Sequence, residues 1–146
     1  LISLLLVAFA IFCGWVFIVY LKRSTLIKVR DQLAHQTLKL TDTNAVFFGV
    51  ESKGPKQIRG NGVLALTDKE LYFHGFGAKE PLIIPRMSIQ TLTTPNIFLT
   101  KSCGKELFQV NYMTEEGKEE AVAWYTPLRE SFELEINEAM SKGTDT

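Results

Sequence analysis

The chain has 146 residues, enough for about one domain, and carries 16 Lys+Arg against 16 Asp+Glu. That balance gives no reason to expect nucleic acid or an acidic substrate as a partner. The average conceals a division, because residues 1–21 hold no charged side chain and every charge falls on the rest, whose composition is that of an ordinary soluble domain.

The opening run, LISLLLVAFAIFCGWVFIVYL, would span ~31 Å as a helix, close to the ~30 Å hydrocarbon core of a bilayer. It reads as a transmembrane helix over residues 1–21. A cleaved signal peptide fits less well: the small-x-small tripeptide Ala8-Phe9-Ala10 is followed by ten more uncharged, mostly apolar residues up to Tyr20. A buried helix of a soluble protein is the remaining alternative, since a surface helix would need a polar stripe that is missing. Lys22, Arg23, Lys28 and Arg30 follow with no acidic residue before Asp31. Cations in this position mark the cytoplasmic side, so the following domain is expected in the cytoplasm of a single-pass membrane protein. The same four are candidate membrane-surface contacts with anionic headgroups. The sequence does not start with Met, which leaves earlier residues or spans open.

Residues 26–40 lack Gly and Pro, and Leu26, Val29, Leu33, Thr37 and Leu40 recur at helical steps. The spacing predicts a helical connector over residues 22–43, ended by the turn chemistry of Thr41-Asp42-Thr43-Asn44. Its narrow stripe either docks on its own domain or pairs with a second copy as a short coiled coil.

From residue 44 short apolar runs alternate with turn residues, the pattern of an all-β sandwich or barrel. Candidate strands are 45–50, 62–67, 70–74, 82–84, 88–93, 97–100, 107–112 and 119–125. Residues 62–67 and 70–74 are separated only by Asp68-Lys69 and read as a hairpin with Leu64, Leu66, Leu71 and Phe73 facing inward. Thr126-Pro127 then starts an amphipathic helix with Leu128, Phe132, Ile136 and Met140 every fourth residue. Its stripe is placed to close the end of a small barrel.

Gly60-Asn61-Gly62-Val63-Leu64-Ala65-Leu66-Thr67, Leu71-Tyr72-Phe73, Ile84-Pro85 with Ser88-Ile89, and a closing helix after Trp124 resemble a pleckstrin-homology-like domain of the GRAM and bacterial PH type. The resemblance covers about residues 45–140. It implies a bent seven-stranded β-barrel capped by a C-terminal helix over residues 44–141, with a tail at 142–146. It also implies a non-enzymatic module that binds lipid headgroups or protein segments. Members that bind phosphoinositides carry cations on the first two strands, whereas here GVLALT has none and ELYFH has only His74. The candidate headgroup or partner contacts are therefore Lys53, Lys56 and Arg59 just before the matched strand, with Lys101 and Lys105 beside another turn.

His35 and His74 are the only histidines and Cys13 and Cys103 the only cysteines, a set that suggests no zinc site, disulfide or Cys/His nucleophile. His74 is expected to be a partly buried, hydrogen-bonded strand residue. Gly60-x-Gly62 lacks the helix that a dinucleotide site requires. No catalytic residue, cofactor or metal is assigned. The expected partners are the bilayer, anionic headgroups or a protein. The alternatives are an oligomeric membrane scaffold without a small ligand and an accessory domain of a larger membrane protein.

Overall fold

A computed structural model describes residues 1–143. A long helix, α1 (Ile2–Gln32), leads into seven strands: β1 (Leu38–Val50), β2 (Gly60–Thr67), β3 (Glu70–Gly75), β4 (Leu82–Pro85), β5 (Ile89–Thr93), β6 (Phe108–Met113) and β7 (Glu119–Tyr125). Helix α2 (Arg129–Lys142) follows. All ladders are antiparallel, and the strands form one seven-stranded sheet in the order β4-β3-β2-β1-β7-β6-β5.

Laid flat, such a sheet would hold its edge strands β4 and β5 ~29 Å apart at ~4.8 Å per strand. Yet residues 86–88 alone join Pro85 to Ile89, and a link of that length reaches at most ~14 Å. The sheet must therefore curl until its edges approach. Ile84 of β4 and Ile89 of β5 accordingly enter one apolar core with Leu64, Leu66, Leu71, Phe73, Val110 and Trp124. The inward set of the β2–β3 hairpin is as expected, with Leu64 opposite Phe73 and Leu66 opposite Leu71. Aromatic rings fill the centre: Phe73 stacks on Phe47 at 5.1 Å, and Phe108 stacks on Phe132 of α2 at 5.7 Å.

The expected barrel is not closed, because no ladder joins β4 to β5 among the described residues. β4 has four residues and ends at Pro85, which has no N–H to donate, and the chain then turns through a short 3₁₀ segment, Arg86–Ser88. Arg86 occupies this junction, donating from Nη1 to Thr67 O (3.0 Å) and from Nη2 to Glu135 O of α2 (2.8 Å).

The expected helix over residues 22–43 is divided. α1 ends at Gln32, residues 33–37 turn, and β1 begins at Leu38, ahead of the boundary expected at 44. Thr41-Asp42-Thr43-Asn44 is not a turn between elements but an irregularity inside β1, where the register with β2 shifts between Asp42 and Ala45. Turn chemistry is still at work: Asp42 Oδ1 accepts from Asn44 N (2.9 Å), while Oδ2 accepts from the buried Thr126 hydroxyl (2.6 Å). A bulge bends the strand that carries it. β1 can thereby pair with β2 along its first part and with β7 along its last. Thr126 in turn accepts from Leu128 N, but α2 starts two residues later than the sequence suggested: Leu128, not Thr126, is the N-cap and Arg129, not Pro127, the first helical residue. Phe132 and Ile136 of the α2 stripe are buried, and Leu128 and Met140 at its ends are partly exposed. Lys142 belongs to α2, and residues 144–146 of the expected tail lie outside the described residues.

Asp42 thus ties the bulge of β1 to the segment that leads into α2. Asp42→Ala is expected to lower unfolding stability by about 1.5–3 kcal/mol, the range for hydrogen bonds to a charged group. Its exposed neighbour Thr43→Ala should change it by less than about 0.5 kcal/mol, both read by chemical denaturation.

Candidate functional site

α1 is long and apolar enough to cross a membrane, and none of its apolar window is buried by the rest of the chain. The buried contacts with the sheet lie further along the helix. Thr25, Val29 and Leu33 are buried, and the last two pack with Val63, Ala65 and Tyr72 on the outer face of β2 and β3. Thr25 satisfies its own hydroxyl by donating to Leu21 O (2.8 Å).

The order of contacts orients the domain. Ile18, Leu21 and Lys22 share a cavity with Asn44, Asn61 and Phe76, Val29 and Leu33 meet mid-β2, and Thr37 O accepts from Asp68 N just past the end of β2. α1 therefore runs alongside β2 in the same direction. The start of β2 lies where the apolar run ends, together with Phe76, whose N–H donates to Asn61 O (2.9 Å).

The loop over residues 51–59 leads directly into this end of β2 and carries Lys53, Lys56 and Arg59, all exposed. Between them stands Ile58, 90% exposed, an apolar side chain offered to the surroundings from the same loop as three cations. Gln57 folds the loop by accepting from Val50 N and donating to Val50 O and Gly54 O. Arg59 lies over the Phe48 ring at 5.4 Å and donates to Ser102 O (3.2 Å), and Lys101 donates to Gln57 O. The 51–59 loop is thereby fastened to the segment over residues 94–107.

That second segment corrects the strand expected at 97–100. Phe98 and Lys101 exchange backbone hydrogen bonds around Leu99 and Thr100, which both have positive φ (49° and 65°), so the chain makes a tight reversal. The apolar residues that suggested a strand serve as a plug instead. Phe98, with Leu99 beside it, packs with Phe48, Leu107, Ala121 and Ala123 on the outer face of β1 and β7.

The other candidates are dispersed. Lys22 lies over the Phe76 ring at 5.8 Å, Arg23 and Arg30 are exposed on α1, and Lys105 donates to Tyr125 Oη (3.2 Å). Lys28 points away from these, into a cavity with Tyr72, His74 and Lys79. His74 is buried, with Nε2 bonded to Ala78 O (3.0 Å). Burial, with Glu70 beside it, holds the Tyr72 phenol above its ordinary pKa, so at neutral pH it remains a hydroxyl. Among the described residues no group of three or more His, Cys, Asp or Glu side chains is placed to hold a metal ion.

No family model matches the chain, and no curated protein matches it. A solved structure does: the C-terminal domain of an unknown protein from Leishmania infantum, with a TM-score of 0.52 and 16% identity over 75% of this chain and 88% of that one. At this identity the likeness speaks for the fold alone.

The reversal at Leu99-Thr100 holds a β-branched residue in a left-handed conformation, a cost of ~1–2 kcal/mol that glycine avoids. Thr100→Gly is expected to raise stability by about 0.5–1 kcal/mol once glycine's own entropy is deducted, measured by chemical denaturation.

Proposed function

We propose that the chain is a membrane-anchored, PH-like binding module. In this reading α1 spans the membrane, the sheet lies on the cytoplasmic side, and the 51–59 loop meets anionic headgroups or a partner at the membrane surface. The observation that carries it is the docking of α1: the end of its apolar run lines one cavity with Asn61, three residues from Ile58. The loop bearing Lys53, Lys56 and Arg59 is thus held within reach of the bilayer in which α1 would sit.

The energetics favour a tethered site. A cation near an anionic surface contributes ~1 kcal/mol, so three contribute ~3 kcal/mol. That is weaker than the ~4 kcal/mol of a millimolar complex and would not recruit a soluble domain. A tether supplies an effective concentration in the millimolar range, at which the cations alone occupy such a site only in part. Insertion of Ile58 adds up to ~1.5–3 kcal/mol.

The oligomeric alternative has less support. The stripe that was to pair with a second copy has Val29 and Leu33 buried against β2 and β3 of its own chain.

The test uses the full chain in nanodiscs, with Cys13→Ser, Cys103→Ser and a spin label at Ile58→Cys. The label is expected to collide with membrane-dissolved oxygen in bilayers containing phosphatidylserine, and to become water-accessible when Lys53, Lys56 and Arg59 are all replaced by Glu. Water-like accessibility in every lipid composition would overturn the proposal.

A further inference from the structure

Where the apolar run of α1 gives way to charge, the helix and the sheet enclose a cavity of about 380 Å³, within the ~300–1,000 Å³ range of small-ligand sites. Ile18, Leu21 and Lys22 line it from the helix, Asn44 from β1, Asn61 from β2, and Phe76 from the turn after β3. Ile18 is 53% exposed, so the apolar face that would meet lipid continues into the cavity. The Lys22 ammonium lies over the Phe76 ring, 5.8 Å from its centroid, and no carboxylate pairs with it among the described residues. Asn61 Nδ2 donates to Asn44 Oδ1 (3.2 Å). Whichever way round the two amides are set, the pair still offers an N–H and a carbonyl oxygen to a third group.

We infer that this cavity is a binding site for one phospholipid of the surrounding leaflet, with an anionic headgroup that carries hydroxyls and no cation, as in phosphatidylglycerol. Lys22 takes the phosphodiester, the asparagine pair takes the headgroup hydroxyls, and Ile18, Leu21 and Phe76 cover the upper part of an acyl chain. The lining selects this chemistry. A phosphodiester carries a single negative charge at neutral pH, and Lys22 is the one charged residue of the lining. A hydroxyl both donates and accepts, which matches what the asparagine pair offers. An ammonium or choline group would bring a second cation beside Lys22, with no carboxylate in the lining to receive it. Asp42, two residues from Asn44, is already held by Asn44 N and the Thr126 hydroxyl.

Position selects a lipid over a water-soluble phosphodiester. Leu21 ends the uncharged run and Lys22 is its first charge, so with α1 in a bilayer the cavity stands at the boundary between hydrocarbon and headgroups. A soluble phosphodiester would meet Lys22 and the asparagines but leave Ile18, Leu21 and Phe76 wet, whereas a lipid satisfies both halves of the lining. The inference rests on the reading of α1 as a membrane span. It shares no residue with the 51–59 loop, so the two sites can be tested apart.

The test places the full chain in nanodiscs of phosphatidylcholine, phosphatidylserine and phosphatidylglycerol, releases it into mild detergent, and counts the lipids it keeps by native mass spectrometry. One phosphatidylglycerol per chain is expected, enriched over its share of the bilayer. Lys22→Gln and Asn61→Ala should each raise the phosphatidylglycerol fraction needed for half retention by about tenfold. Arg23→Gln, the same charge change on the next residue but outside the lining, should raise it by less than about twofold. Lys22 and Asn61 are exposed, so neither variant is expected to compromise folding. Phosphatidylserine has the same net charge as phosphatidylglycerol, and equal retention of the two overturns the assignment. So does a loss with Arg23→Gln as large as with Lys22→Gln. If the retained lipids match the bilayer composition while the Ile58 label still meets membrane oxygen, this site falls and the function proposed above stands. Selective retention with a water-accessible Ile58 label does the reverse.

Discussion

The rest of the structure depends on how α1 meets the sheet. Two buried side chains, Val29 and Leu33, fasten the helix to Val63, Ala65 and Tyr72. At ~1.5–3 kcal/mol for each fully buried side chain, they supply ~3–6 kcal/mol, enough to hold an otherwise free helix in one orientation. The contact covers the outer face of β2 and β3, which would otherwise expose an apolar strip. It also roofs the cavity over Tyr72 and His74 and sets which loops lie beside the end of the apolar run. Without it α1 would be a flexible leash and the loop cations would have no fixed relation to its apolar run.

The sheet answers a second constraint. Seven strands must enclose one core, and α2 is too narrow to cover a flat sheet of that width. The bulge at Asp42 and the short link from Pro85 to Ile89 make the sheet curl, and Arg86 bonds across the junction where a closing ladder would have formed. The likeness to the Leishmania domain, at 16% identity, is consistent with an arrangement set by pattern and turn chemistry rather than by particular side chains.

Where the chain obeys a simple period, the fold was legible. Alternation exposed the β2–β3 hairpin and β7, and Thr126-Pro127 with its apolar stripe exposed α2. The first half of β1 was misread because Leu33, Thr37 and Leu40 continue a helical spacing, and only pairing with β2 converts Leu38 and Leu40 to strand. Asp42 and Asn44 advertised a turn that became a bulge, and Phe98-Leu99 an extended strand that became a plug. The loop cations could be found by charge alone. Ile58 could not be singled out, since an isolated apolar residue in a loop carries no period. The cavity beside Tyr72 was invisible for a different reason: the residues of α1 and of β3 that line it are distant in sequence and come together only because α1 docks.

That docking is open to direct measurement without introducing a label site, because Cys13 lies in the apolar run and Cys103 in the 94–107 segment, both exposed. With nitroxides on both cysteines and the full chain in nanodiscs, pulsed dipolar spectroscopy is expected to give one narrow distance distribution. That distribution should broaden when Val29 and Leu33 are both replaced by Ser. A broad distribution in the native chain, unchanged by those substitutions, would contradict a fixed junction between helix and sheet.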